Sequence, residues 1–163
     1  MTAGYLAQEG LEYIRNIRDT NVLYFDSTSS QNGWNNFLTG TTSGGVLTKC
    51  VVSGSNYGCY LGDPTSINFS SHTMPINNPA LIVSCTSSSC PGDALNYNSS
   101  TGVYGSSGSA SGFTRQIIII PITIGGATDE VNVTSVVSWK QGSGTYNITL
   151  SENLYNWVTQ YYQ

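Results

Sequence analysis

The stretch Thr2–Asn21, TAGYLAQEGLEYIRNIRDTN, has the period of an amphipathic helix. Ala3, Ala7, Gly10, Ile14 and Ile17 recur at alternating steps of four and three. Leu6 and Tyr13 flank that row, so one stripe is apolar. Gln8, Glu9, Glu12, Arg15, Asn16, Arg18 and Asp19 fall mainly off the stripe. The acids come early and the arginines late, which suits the helix dipole. Glu12 with Arg15, and Arg15 with Asp19, are spaced to pair, at about 0.2–0.5 kcal/mol each. Asp19-Thr20-Asn21 lowers helix propensity, so the helix is expected over residues 2–20. An ordinary N-terminal helix lying on a core has the same periodicity.

Beyond the helix, the chain of 163 residues is long enough to bury about 70% of its unfolded surface in one domain. Only 9% of residues are charged and the net charge is −4. Few lysines and arginines in an acidic chain exclude nucleic acid as a partner class. No apolar run reaches the length of a membrane span. Eleven tyrosines and several β-branched runs set the chain apart from disordered sequences.

The cysteines are Cys50, Cys59, Cys85 and Cys90. An even count in a polar, loop-rich chain favours disulfides and an oxidising compartment. Four cysteines allow three connectivities, and sequence does not choose among them. Local pairs are preferred, because both intervals read as turns. Zinc fits less well, since it wants closer cysteine pairs or histidine partners and the chain has one histidine, His72. Free buried thiols are the third reading.

Val22–Gly45 reads as an irregular stretch that Trp34, Phe37 and Leu38 pin to the core. Val46–Val52 is a strand candidate, with Tyr57–Leu61 returning against it, and Ala80–Ser84 is a short strand. Pro75 and Pro79 argue against regular structure between them. Ser99–Gly112 reads as a hairpin or flexible loop; its glycines do not make a dinucleotide motif. Phe113–Ile124, with Ile117-Ile118-Ile119-Ile120, is the strongest strand signal. Its unbroken apolar run predicts cover on both faces, with Pro121 at an edge or bulge. Glu130–Trp139 alternates with a slip between Val133 and Val137, and Gln141–Gly144 is a turn. Tyr146, Ile148 and Leu150 alternate again, which makes a hairpin, and Leu154–Tyr162 is a last short strand or turn. The sum is an α+β domain: an N-terminal amphipathic helix packed on an antiparallel β-sheet.

These residues resemble a known family. Leu6-Ala7-Gln8-Glu9-Gly10-Leu11-Glu12-Tyr13-Ile14-Arg15-Asn16-Ile17-Arg18-Asp19 is similar to the second part of the long N-terminal helix of type IV pilin-like and type II secretion pseudopilin-like proteins. Phe113–Ile119 resembles the strand that follows their Gly/Ser loop. Val131 through Trp157 resembles their closing hairpin and C-terminal end, while residues 22–100 match nothing in the family. The resemblance implies a pilin-like head as a single domain over 1–163. Residues 2–20 are then the remnant of the long helix, 22–112 a loop-rich variable region with four cysteines, and 113–163 the antiparallel strands. It also implies a filament subunit, minor or specialised, of a pilus or pseudopilus on a prokaryotic cell surface. Its partners would be other pilin or pseudopilin subunits and the assembly or secretion machinery. The apolar first half of the family's helix, with its processing site, is not in the sequence, and Met1 reads as an added start. Membrane contact would belong to that missing segment alone.

On this reading Ala7, Ile14 and Ile17 pack helix to sheet, and Glu9, Glu12, Arg15 and Arg18 are candidate subunit contacts. No catalytic or cofactor constellation stands out, and no metal site is expected. His72 sits between Ser71 and Thr73 in a Pro-rich loop, and a hydrolase built on it is the least favoured reading. The carboxylates show no calcium-loop spacing. Four N-x-[ST] sequons, at Asn68, Asn98, Asn132 and Asn147, are what 15 asparagines give by chance in a chain this rich in Ser and Thr. The alternative to a filament role is a surface adhesin using Tyr/Ser/Asn-rich loops between Gly54 and Gly112 to hold a surface ligand.

Overall fold

The computed structural model describes residues 1–28, 33–40, 45–54, 56–61, 82–86, 90 and 94–157, with backbone alone over 24–28. Helix α1 covers Thr2–Thr28 and is longer than its sequence suggests. Asp19-Thr20-Asn21 does not end it, because two of those side chains bond back into the helix. The Thr20 hydroxyl donates to the Asn16 carbonyl at 2.7 Å, and the Asn21 amide to the Ile17 carbonyl at 2.8 Å. Asn21 is fully buried and also accepts from the Asn36 amide at 2.5 Å. Tertiary packing therefore carries the helix past residues of low propensity. The first turn holds no acid, and the extension leaves the last turn without a base, so the dipole argument for the charged residues falls away.

The irregular stretch expected after α1 contains a second helix, α2 (Gly33–Thr39), with Trp34, Phe37 and Leu38 buried. The Trp34 indole N–H donates to the Thr128 carbonyl at 2.7 Å, which ties α2 to the sheet. The strand expected at Val46–Val52 is instead a short helix, α3 (Val46–Cys50), followed by strand β1 (Val52–Ser53). Val46 and Cys50, four apart, both turn inward. The Asn56 amide reaches the Thr48 and Lys49 carbonyls at 3.2 and 3.0 Å, which satisfies the helix end.

Strand β2 (Asn56–Tyr57) pairs with β1, while β3 (Cys59–Leu61) pairs with β4 (Ile82–Ser84) and touches the main sheet. Strands β5 (Ala94–Asn98) and β6 (Val103–Gly105) form a hairpin. Its turn is closed by the Asn98 side chain, which accepts from the Ser100 amide at 3.0 Å. The sheet is dominated by β7 (Ser109–Ile124), β8 (Ala127–Gln141) and β9 (Gly144–Tyr155), an antiparallel meander. One side of β7 carries β8; the other is shared by β5 near Phe113 and β3 at Ile117. The β7–β8 turn is Gly125-Gly126, both with positive φ, as a two-residue hairpin loop requires.

Only one face of the isoleucine run is covered. Ile117 and Ile119 are fully buried, whereas Ile118 is half-buried and Ile120 is 54% exposed. An antiparallel sheet with a helix on one side has one wet face. Pro121 pairs with Val131 just before a register shift between Ile122 and Ile124. No slip occurs in β8. Val131, Val133, Ser135, Val137 and Trp139 all face α1 in one unbroken alternation, with Ser135 buried among them. Leu154 and Tyr155 belong to β9 itself, and Tyr161 and Tyr162 lie outside the described residues.

Candidate functional site

The helix–sheet seam and the surfaces beside it form the candidate site. Ile14 and Ile17 are buried with Ile117, Ile119, Val131, Val133 and Leu154, and α2 and α3 close this core with Trp34, Phe37 and Val46. Ala7 lies in a second, smaller cluster with Ala3, Leu6, Leu95 and Val137. Between the two clusters the helix backbone comes closest to the sheet. A Cβ on Gly10 would stand 2.6 Å from the Ser135 hydroxyl and 3.0 Å from Ile117. Gly10 is therefore a contact surface, and Ser135 is the small residue opposite it.

Arg115 shares that level and is 2% exposed. Its guanidinium donates to the Glu9 carboxylate at 2.5 Å and to the Leu6 carbonyl at 3.2 Å. A buried guanidinium stays charged, so it needs such partners to offset the loss of water. Arg115 thus locks α1 to β7 at a set level. The sequence hid this role, because an arginine opening an apolar strand reads as a solvent-facing end.

Each of the four charged residues named from the sequence has an intrachain partner. Glu9 holds Arg115. Arg15 bonds Glu12 at 2.7 Å and also pairs with Glu152 on β9. The Glu152 hydrogen bond, with the charges of Glu152 and Glu12, raises the Arg15 pKa against the opposing pull of desolvation. Arg18 pairs with Asp19 at 2.6 Å and reaches the Tyr155 carbonyl at 3.4 Å. The Arg15–Asp19 spacing is not used. What α1 leaves outward is the exposed line Tyr5, Gln8, Glu12, Asn16 and Leu23.

The cysteines pair locally: Cys50 with Cys59, and Cys85 with Cys90. The first bridge ties α3 to β3 and so to β7. Closing a loop with a separation of nine contributes about 2–3 kcal/mol in the chain-entropy account.

Five rings cross the sheet under the start of α1. Tyr97, Tyr104, Phe113, Trp139 and Tyr146 follow one another with centroid separations of 5.0, 6.3, 6.1 and 6.0 Å. Two clefts open beside this row. One, of about 390 Å³, lies among Tyr5, Leu6, Glu9, Val103 and Tyr104. The other, of about 430 Å³, lies among Ala3, Phe113, Trp139, Gln141 and Ile148. The pairing of Trp139 with Tyr146 was available from sequence, because any two-residue turn at Gly142-Ser143 sets them opposite. The rest of the row needed the fold. His72 lies outside the described residues, as does the Asn68 sequon. Among the described residues no group of three or more His, Cys, Asp or Glu is placed to hold a metal ion, and no helix is long and apolar enough to cross a membrane.

Fold and seam together define an α+β domain with an N-terminal helix laid on an antiparallel sheet. No family model, no curated protein and no solved structure matches the chain.

Proposed function

We propose that the chain is a structural subunit, minor or specialised, of a prokaryotic surface filament of the type IV pilus or pseudopilus kind. The observation that carries this reading is α1: a 27-residue helix held on the sheet by two core clusters and a buried Arg115–Glu9 pair, with one face open. A filament subunit needs a rigid helix fixed to its head and a free helix face for neighbours. Tyr5, Gln8, Glu12, Asn16 and Leu23 supply that face. Two disulfides suit an exported head on the cell surface. The partners are other pilin or pseudopilin subunits and the machinery that assembles them, with the membrane met only through an apolar helix half. No catalysis is assigned.

The test is immunogold labelling of the source cells with antibodies to this domain, together with western blots of sheared surface material. Labelled filaments that vanish when the assembly ATPase is deleted support the proposal. Protein retained inside cells under piliating conditions, with unlabelled filaments, refutes it.

The row of rings favours a second reading, a surface ligand bound at the head, since exposed aromatics flanked by amide and hydroxyl groups suit neutral polar ligands. Of the loop region suspected for this role, residues 54, 56–61, 82–86, 90 and 94–112 are described, and the β5–β6 hairpin contributes Tyr97 and Tyr104. A glycan-array screen in which saturable binding by the domain is lost in Trp139→Ala would support it. Binding that is absent, or indifferent to Trp139, would remove it.

A further inference from the structure

We propose that the open edge of β9 pairs with the same strand of a second copy of this chain, joining two sheets across a two-fold axis. This does not depend on the filament reading. Among the described residues β9 pairs with β8 alone. Backbone groups of alternate residues in an antiparallel strand point to alternate sides. The Asn156 amide donates to the Asp129 carbonyl at 2.8 Å, and the β8–β9 register is unbroken from Glu130 opposite Tyr155 to Gln141 opposite Gly144. Even-numbered residues of β9 therefore spend their N–H and C=O groups on β8. The odd-numbered ones turn theirs outward. Arg18 takes the carbonyl of Tyr155. Thr145, Asn147, Thr149, Ser151 and Asn153 are left facing outward along the edge, and all five side chains are exposed.

Proteins blunt such edges with short strands, proline, lysine or bulges. The other outer strands, β4 and β6, have three residues each. β9 has twelve, with no proline, lysine, arginine or register shift. Its one charge, Glu152, faces α1 and is neutralised by Arg15.

The edge is complementary to itself. Centred on Thr149, an antiparallel match sets Thr149 against Thr149, Asn147 against Ser151 and Thr145 against Asn153. That makes five outward pairs, each exchanging two hydrogen bonds. On the face toward α1 it sets Ile148 against Leu150, two half-buried apolar side chains that gain cover. No like charges meet. Thr–Thr pairs are favourable across strands. The contact is isologous and closes at two copies.

The experiment is sedimentation velocity on the disulfide-intact chain, from about 10 μM to about 1 mM, which spans contacts of about −7 to −4 kcal/mol. A monomer–dimer equilibrium is expected in the wild type. Thr149→Pro removes only an outward amide, so β8 pairing survives, and the dissociation constant should rise at least tenfold. Thr149→Lys sets two ammonium groups against each other, and its lost dimer should return partly in high salt. A wild-type chain that stays monomeric throughout overturns the proposal. So does a dimer that both variants leave intact. Circular dichroism shows whether each variant folds, and the lysine variant serves alone if the proline variant does not.

Discussion

The two halves of α1 follow one period yet sit on the sheet in different ways. From Leu11 to Ile17 the helix presents branched side chains to a deep core closed by α2, α3 and a disulfide. From Ala3 to Ala7 it presents two alanines and the single large side chain of Leu6 to a row of rings, with a cleft on either side. Gly10, Ser135 and Arg115 mark the boundary. The difference teaches that dense core packing and solvent-open clefts are divided along a single helix. Large side chains that interdigitate leave no cleft, whereas alanines let the helix approach while the rings beside it stay reachable from solvent.

The comparison is broken most strongly at Ile14. Ile14→Ala should cost about 2–5 kcal/mol, because rigid walls on every side preserve the cavity. Leu6→Ala, beside an open cleft that can collapse or admit water, should cost about 2 kcal/mol or less. Urea unfolding with both disulfides intact measures the two. Equal losses would erase the distinction between the halves.

A smaller effect sharpens the boundary. Gly10→Ala gains helix propensity but forces a methyl against the Ser135 hydroxyl, for a net loss of about 1–2 kcal/mol. Ser135→Ala in the same chain should recover at least half of that, and a double-mutant cycle reads the coupling. Additive losses would mean that Ser135 does not limit the approach.

The smallest effect belongs to the pair of Arg15 with Glu152. Their side chains are 38% and 20% exposed, so a cycle with Ala at both sites should give a coupling below about 1 kcal/mol, shrinking further at high salt. A larger, salt-insensitive coupling would place this pair in the core's class.

The sheet's last two strands were legible because alternation has a fixed period of two and Gly-rich turns punctuate it. Ile148, Leu150 and Trp139 fall where that rule puts them. The supposed slip in β8 arose from Ser135, a polar residue at a core position. Only its proximity to Gly10 explains it. α3 was misread because Val46-Leu47 and Val51-Val52 look like strand, while Asn56 and the Cys50–Cys59 bridge that favour one helical turn lie later in the chain. The end of α1 is hidden from sequence for the same reason: the buried Asn21 side chain has a partner, Asn36, fifteen residues further on.

By itself the sequence determined the class of the domain, the apolar stripe of α1 and the closing hairpin, because local periodicity follows from backbone geometry alone. Tertiary structure decided what meets across distance. It turned Arg115 inward onto Glu9 and set Ser135 under Gly10. It aligned five rings from five strands and left the edge of β9 without a partner among the described residues. Each of these joins residues far apart in the chain, and a local period carries no information about such distances.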